Sequence, residues 1–433
     1  MQTIHLPGSK SISNRDFILA SLVRGVTILE GILLSDDTQS MINALKNIGI
    51  EIVFKGNTTT IHGGIEKIRG DNKELYLGQS GTCMRFLTAF AILNKVGTIT
   101  LTGEQRLLQR PMGDLLDALK QLGVQFESNG DYPPIKIYPS ELTTNKIEMN
   151  GTISSQFFTA FLQIAPFFEK GLEIEVLGDL VSKPYIDITI NEIKKFGGEV
   201  INENYKKFIV PPGKYNAQKL VVEGDASALS YIACFYALHG GKIKIGNLGS
   251  DTKQGDYKFL KVMKIFGLEF ESDGETTIIQ APGIKNIDLS QYRDYQIDFE
   301  NMPDVSLSFM IMSLFLPGNT YITGLQTLNL KESKRIDAMK NELKKIGVQV
   351  QSDEKSIEIG EITASSPLAP LLKREGKTEK GETINIETYN DHRIAMCFGI
   401  LETYIGNLNI LNPNCVNKTY PNFWKDLKIM NNK

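Results

Sequence analysis

Two kinds of apolar run alternate along this chain. One is long and almost unbroken: Phe86–Leu93 reads FLTAFAIL and Ser230–Leu238 reads SYIACFYAL. Helices with so little polar surface are buried. The other kind is amphipathic, with Leu115, Leu116, Leu119 and Leu122 on one helical face and Asp117, Lys120 and Gln121 elsewhere. Short β-type segments separate them, among them Ile50–Phe54, Thr58–His62, Thr98–Leu101, Leu172–Val176 and Lys242–Ile245. The pattern predicts a unit of helix, strand, helix and strand, with further strands between units.

That unit occurs six times. Its copies open at Ser9-Lys10-Ser11, Ser80-Gly81-Thr82, Ser154-Ser155-Gln156, Asp225-Ala226-Ser227, Asp304-Val305-Ser306 and Asn390-Asp391-His392-Arg393. Each first helix ends in a glycine, at 25, 97, 171, 241, 318 and 406, so successive glycines lie 72, 74, 70, 77 and 88 residues apart. The second helix ends in Gly49, Gly123, Gly197, Gly267 and Gly347 in the first five copies. A fixed period means one supersecondary unit used repeatedly. Ser, Asn and Asp cap helix N-termini, and the free N–H groups there attract anions.

Six units divide most simply into two domains of three, residues 9–223 and residues 224–433 with 1–8 attached. The strand-like Met1–Pro7 is too short to stand alone and is expected to pair with the second half, where the sixth unit lacks an evident partner strand. Glu361–Glu382, rich in Ser, Lys, Glu and Gly, reads as a solvated loop. A chain of 433 residues exceeds one ordinary core. With 41% hydrophobic and 22% charged residues it is globular, and a net charge of −3 argues against a general nucleic-acid binder. Any attraction for anions is therefore local. Four cysteines without a C-x-x-C pair and four scattered histidines suggest neither a disulfide framework nor a metal site. Ser308–Leu316 and Phe157–Phe168 are too short to span a bilayer. The expectation is a cytoplasmic protein without a leader segment.

Candidate chemistry collects at the unit starts. Leu6–Arg15 reads LPGSKSISNR, but Ser9 and Gln2–Ile4 stand where a nucleotide P-loop needs glycine. What remains is Lys10 at a helix start with Arg15 one turn on. Gly78-Gln79-Ser80-Gly81 lets backbone approach a ligand. Arg110, before a Pro111 expected to start a helix, is suited to fork onto a carboxylate or phosphate. Ser154, Ser155 and Gln156 exceed what capping alone needs, and Ser182 and Tyr185 head the next helix. Lys331 and Arg335, four apart, are expected to share a helical face with Glu332 beside them. Any one of these reads equally well as capping or solvated surface; their recurrence at unit starts favours function. A carboxylate surrounded by cations stays ionised and can serve as a base.

These blocks resemble the 5-enolpyruvylshikimate-3-phosphate synthase family from Leu6 to the C-terminus. They are LPGSKSISNR, Gly81–Arg85 (GTCMR), Arg110–Asp114 (RPMGD), Ser154–Gln156 and Ser182–Thr189 (SKPYIDIT). Then follow Glu223–Ser227 (EGDAS), Pro303-Asp304, Lys331-Glu332 with Arg335, Thr388–Arg393 (TYNDHR) and Cys415–Pro421 (CVNKTYP). The resemblance implies an α/β fold, an inside-out α/β barrel in each of two similar domains of three βαβαββ units, with helix N-termini facing an interdomain cleft. It implies transfer of the enolpyruvyl group of phosphoenolpyruvate to the 5-hydroxyl of shikimate 3-phosphate, with release of phosphate and with no metal or organic cofactor. The expected state is a monomer with only these small-molecule partners, no nucleic acid and no membrane.

Carried over by position, Lys10, Ser11, Arg15, Ser154, Ser155, Gln156, Ser182, Tyr185, Asp304 and Lys331 resemble the shikimate 3-phosphate contacts. Lys10, Gly81, Arg110, Gln156, Arg335, Arg393 and Lys418 resemble the phosphoenolpyruvate contacts. Asp304 resembles the proton acceptor, Glu332 the proton donor and Lys10 a further catalytic group, with His392 orienting its neighbours. Four positions depart from the family: Gln79 replaces Asn, Phe86 replaces Pro or Leu, Thr327 replaces Asn and Lys334 replaces Asp. Two rival readings are a related transferase acting on UDP-N-acetylglucosamine and a non-catalytic anion-binding scaffold. The first calls for a cysteine five residues before the Arg-Pro, where Gln105 stands.

Overall fold

A computed structural model describes residues 1–362 and 383–431. Most of the expected loop at Glu361–Glu382 lies outside the described residues. The chain divides into two compact units, Gly8–Glu223 and Met1–Pro7 with Gly224–Lys433.

Gly8–Glu223 holds three four-stranded sheets. In one, Lys73–Tyr76 pairs parallel with Ile99–Thr102, which pairs antiparallel with Tyr132–Ile137, itself paired with Phe126–Asn129. Parallel neighbours need a crossover, and the buried helix Gly81–Phe90 supplies it. Helix Gly113–Gln121 then leads into the antiparallel pair, giving βαβαββ. The sheet of Lys146–Asn150, Leu172–Leu177, Lys207–Val210 and Ile201–Glu203 repeats this around helices Ser155–Ile164 and Lys183–Lys195. The remaining sheet takes its parallel strand from the far end of the unit, Lys219–Val221 beside Ile28–Glu30.

The second unit follows the same plan, with four-stranded sheets centred on Gly241–Ile245 and Thr320–Thr323. Met1–Pro7 does join this half, but not where the sequence suggested. Thr3–Ile4 lies parallel to Lys244–Ile245 of the fourth repeat, while the sixth has its own partner in Ile384–Ile386 beside Leu408–Ile410. Hydrogen bonds fix the choice: Leu6 N donates to Asn247 Oδ1 at 2.9 Å and Asp225 N to Pro7 O at 2.9 Å.

In each unit the first helices form the core. Lys10–Leu22, Gly81–Phe90 and Ser155–Ile164 pack on one another, as do Ala226–His239, Ser306–Met312 and His392–Ile405. The repeat-marking glycines all have positive φ. Gly171 shows why: at φ +67° an added Cβ would also sit 2.1 Å from Val210 O. The chain can therefore turn directly from helix into the parallel strand.

Candidate active site

In the unit containing Gly224–Lys433, the starts of the three core helices converge. Asp304 lies in the turn Pro303–Val305 before Ser306–Met312, Ser227 opens Ala226–His239, and Asp391 caps His392–Ile405 by accepting from Arg393 N at 3.0 Å. Arg335, the first residue of helix Arg335–Lys345, is 1% exposed and ties them together. It donates to Asp304 Oδ1 (2.9 Å), Glu332 Oε2 (2.8 Å) and Asp391 Oδ2 (2.8 Å). Arg393 Nη2 donates to Asp304 Oδ2 at 2.9 Å, Lys331 Nζ lies 3.4 Å from Asp304 Oδ1, and Lys418 Nζ lies 3.0 Å from Glu332 Oε1. Ser333 Oγ also donates to Asp391 Oδ2, at 2.9 Å.

Asp304 therefore touches three cations. Burial alone would push its carboxyl up, but Arg393, Lys331 and Arg335 together hold it well below the usual carboxylate range. Burial disfavours charge on Arg335 too, and the carboxylates of Asp391, Glu332 and Asp304 outweigh it and raise its value. The cluster thus keeps an ionised carboxylate beside a carboxyl on a shared guanidinium.

In Gly8–Glu223 the helix starts are again polar. Ser9 caps Lys10–Leu22, and Lys10 Nζ pairs with Asp37 Oδ2 at 3.0 Å. Arg15 is almost wholly buried. Its Nε donates to Thr189 Oγ1 at 2.9 Å, Nη1 to Ser11 O at 2.7 Å and Nη2 to Tyr185 O at 3.1 Å. Burial lowers its value to about 10, against the pull of Glu192. Ser154 caps Ser155–Ile164 by accepting from Gln156 N at 3.3 Å, Ser155 is buried, and Gln156 is partly exposed. Ser182, in left-handed conformation at φ +55°, precedes Lys183–Lys195, which carries Tyr185. Arg110 lies against Gly81, where an added Cβ would stand 2.1 Å from Nη1. Behind it, buried Arg85 donates to Gly81 O and Pro111 O, both at 3.1 Å.

The structure thus gathers Asp304, Lys331, Glu332, Arg335, Arg393 and Lys418 in one unit. In the other it brings Ser11, Arg15 and Tyr185 together, and places Gly81 beside Arg110. Two local expectations need correction. Lys331 and Arg335 do not share a helical face, because Lys331 is extended and the helix begins only at Arg335; Asp304 unites them instead. Pro111 does not start a helix either, since the helix starts at Gly113 after Met112. Lys334, where the family has Asp, is exposed. Phe86 has a defined role: its ring centroid lies 5.4 Å from Arg15 Cζ, a cation–π floor. Thr327 Oγ1 is buried and makes no hydrogen bond among the described residues. His392 is buried, with Nδ1 3.8 Å from Asp391 Oδ1.

Sequence reasoning passed over Asp37, Asp391 and Arg85 as site groups. The signal for the first two was available, since each stands at a helix start like the residues that were singled out. Arg85 stood in the Gly81–Arg85 block without a role assigned to it, because nothing local announces a guanidinium turned inward.

Residues 1–427 match the family described as EPSP synthase (3-phosphoshikimate 1-carboxyvinyltransferase). The chain belongs to this family. It is 37% identical over 431 residues to the 3-phosphoshikimate 1-carboxyvinyltransferase of Vibrio vulnificus (strain YJ016), covering 98% of this chain and 95% of the relative. It is 38% identical over 432 residues to that of Photobacterium damsela subsp. piscicida, covering 98% and 96%. Among solved structures, an EPSP synthase from Acinetobacter baumannii shares the fold with a TM-score of 0.74 at 24% identity, covering 99% of this chain and 94% of that one. The enolpyruvyl transferase NikO from Streptomyces tendae shares it at 0.76 and 14% identity, with 99% and 94% covered. The family membership makes this chain a transferase of the shikimate pathway. It decides against the UDP-N-acetylglucosamine and scaffold readings.

Proposed function

We propose that Asp304 is the base that takes the proton of the 5-hydroxyl of shikimate 3-phosphate as its oxygen attacks C2 of phosphoenolpyruvate. Glu332 delivers a proton to the methylene carbon, so the addition forms one C–O and one C–H bond. Collapse of the adduct then breaks the C–O bond to phosphate while the Glu332 carboxylate takes a proton back from the methyl group, so the double bond is restored in the new enol ether and phosphate leaves. The observation that supports this is Asp304 held ionised among Arg335, Arg393 and Lys331, with Glu332 on the same guanidinium.

In this reading shikimate 3-phosphate meets Lys10, Ser11, Arg15, Ser154, Ser155, Gln156, Ser182, Tyr185, Asp304 and Lys331. Phosphoenolpyruvate meets Lys10, Gly81, Arg110, Gln156, Arg335, Arg393 and Lys418. Both reactants are polyanions, and preorganised cations stabilise the charge that moves between them. Arg15 also holds the backbone carbonyls of Ser11 and Tyr185, two of the other contacts.

We also place the chain in the cytoplasm as a monomer. No helix among the described residues is long and apolar enough to cross a membrane. Light scattering on the purified protein tests the monomer, and a dimer mass rejects it. Mixing the protein with both substrates and following released phosphate tests the reaction. Release with UDP-N-acetylglucosamine but not with shikimate 3-phosphate would reverse the assignment.

A further inference from the structure

Asp256 stands outside every sequence block singled out above, yet it is buried beside the converged helix starts. It belongs to a turn wrapped on the start of helix Ala226–His239. In that turn Gln254 Oε1 accepts from Ala226 N at 3.1 Å, and Gln254 Nε2 donates to Gly224 O at 2.8 Å. Two residues on, Asp256 Oδ2 accepts the hydroxyl proton of Ser227. The same Ser227 Oγ accepts from Arg393 Nη2 at 3.3 Å, and that nitrogen also donates to Asp304 Oδ2 at 2.9 Å. A hydroxyl has one proton and two lone pairs. With its proton directed to Asp256, Ser227 presents only lone pairs to Arg393.

The geometry points to Asp256 as a positioning residue that, through Ser227, fixes the guanidinium of Arg393 for phosphoenolpyruvate. This rests on the assignment of Arg393 to that substrate. Without an ionised Asp256, the Ser227 hydroxyl is free to rotate its proton toward the guanidinium, and the pull of Asp304 on Arg393 is no longer balanced from the Ser227 side. The charged groups facing Asp256 are Asp304 before helix Ser306–Met312, Arg393 on helix His392–Ile405 and Asp225 at the cap of Ala226–His239. Burial first, and then Asp304, pushes the Asp256 carboxyl up to about 6, against Arg393 and Ser227. Its charge therefore changes just below neutral pH, where an assay can follow it.

Asp256→Asn keeps the shape while removing the charge that holds the Ser227 proton. Phosphate release is measured for wild type, Asp256→Asn and Ser227→Ala from pH 5 to 8, with each substrate varied. Both variants are expected to raise KM for phosphoenolpyruvate by about tenfold, with KM for shikimate 3-phosphate within about twofold. In wild type, kcat/KM for phosphoenolpyruvate falls on an acid limb near pH 6, and Asp256→Asn loses that limb. A structural loss would depress both substrates alike and leave the limb in place. An active wild type with an Asp256→Asn variant of unchanged KM and pH profile overturns this inference alone. A wild type that releases no phosphate overturns the functional reading with it.

Discussion

Gly81→Ala isolates the contact between a helix start and Arg110. The added Cβ would lie 2.1 Å from Nη1, 2.4 Å from Cζ and 2.7 Å from Nη2 of Arg110. Ordinary carbon contacts begin near 3.5 Å, so the guanidinium must withdraw by roughly 1 Å. It cannot simply sink, because Arg85 is already fixed behind it on Gly81 O and Pro111 O. Arg110 is the mobile end of a long side chain, and Gly81 has helical backbone. Stability should therefore change by less than about 1 kcal/mol, helped by the better helix propensity of Ala. A misplacement of about 1 Å in a positioning group costs up to about 100-fold. We expect kcat/KM for phosphoenolpyruvate to fall ten- to a hundredfold by this reasoning, mainly through KM, with KM for shikimate 3-phosphate little changed. The assay is phosphate release with each substrate varied, alongside a thermal melt. A KM for phosphoenolpyruvate within twofold of wild type would remove Arg110 from that substrate's contacts.

Asp304→Asn and Glu332→Gln preserve shape and should each lower kcat by about 10²- to 10⁴-fold, the range of a lost general base or acid, with smaller changes in KM. Steady-state kinetics check this, and an effect confined to KM would show the roles misassigned. Because the Asp304 carboxyl is held low by its cations, the stability it contributes is present above the ordinary carboxylate range and lost only in stronger acid. Asp16 behaves in the opposite sense. Burial, and then the charge of Glu192, raises its carboxyl well above the usual value. The folded state therefore keeps a proton that the unfolded chain gives up, and the stability tied to it is lost as pH rises through the folded value. Asp16→Asn should raise the melting temperature at pH 8, by roughly 1–3 kcal/mol of stability, and flatten its decline with pH. A variant less stable than wild type at pH 8 would show that the carboxylate is needed there.

The repeat was legible because its marks are local. Caps at Ser9, Ser80, Ser154, Asp225 and Asp391, and glycines with positive φ between helix and strand, are dictated by backbone sterics and unpaired N–H groups. The candidate site was legible only as a set of charged residues at those caps. Which charge meets which depends on partners far apart in sequence: Arg335 reaches Asp391 across 56 residues and Asp304 across 31. The helical spacing of Lys331 and Arg335 suggested a neighbourhood that exists, but through Asp304 rather than through a helix. Thr3–Ile4 was assigned to the right half and the wrong repeat, because a strand's hydrophobic pattern does not name its edge. Asp16 and Glu192 gave no signal at all; two acids 176 positions apart meet only after helices Lys10–Leu22 and Lys183–Lys195 pack.

The ion pairs around Arg335 also bear on how the proposed base and donor exchange roles with the substrate. Arg335, Arg393 and Lys418 are bound to Asp304 and Glu332, so an anion that recruits them does so in competition with those carboxylates. When Arg335 or Arg393 is drawn toward a phosphate or carboxylate of phosphoenolpyruvate, it contributes less to keeping Asp304 ionised, and the basicity of Asp304 rises. The same withdrawal of Arg335 and Lys418 removes what opposes proton uptake by Glu332. Substrate binding would then make the base stronger and the donor easier to protonate in one event. A carboxylate left without substrate stays paired and inert, which ties proton transfer to the presence of the anion it serves.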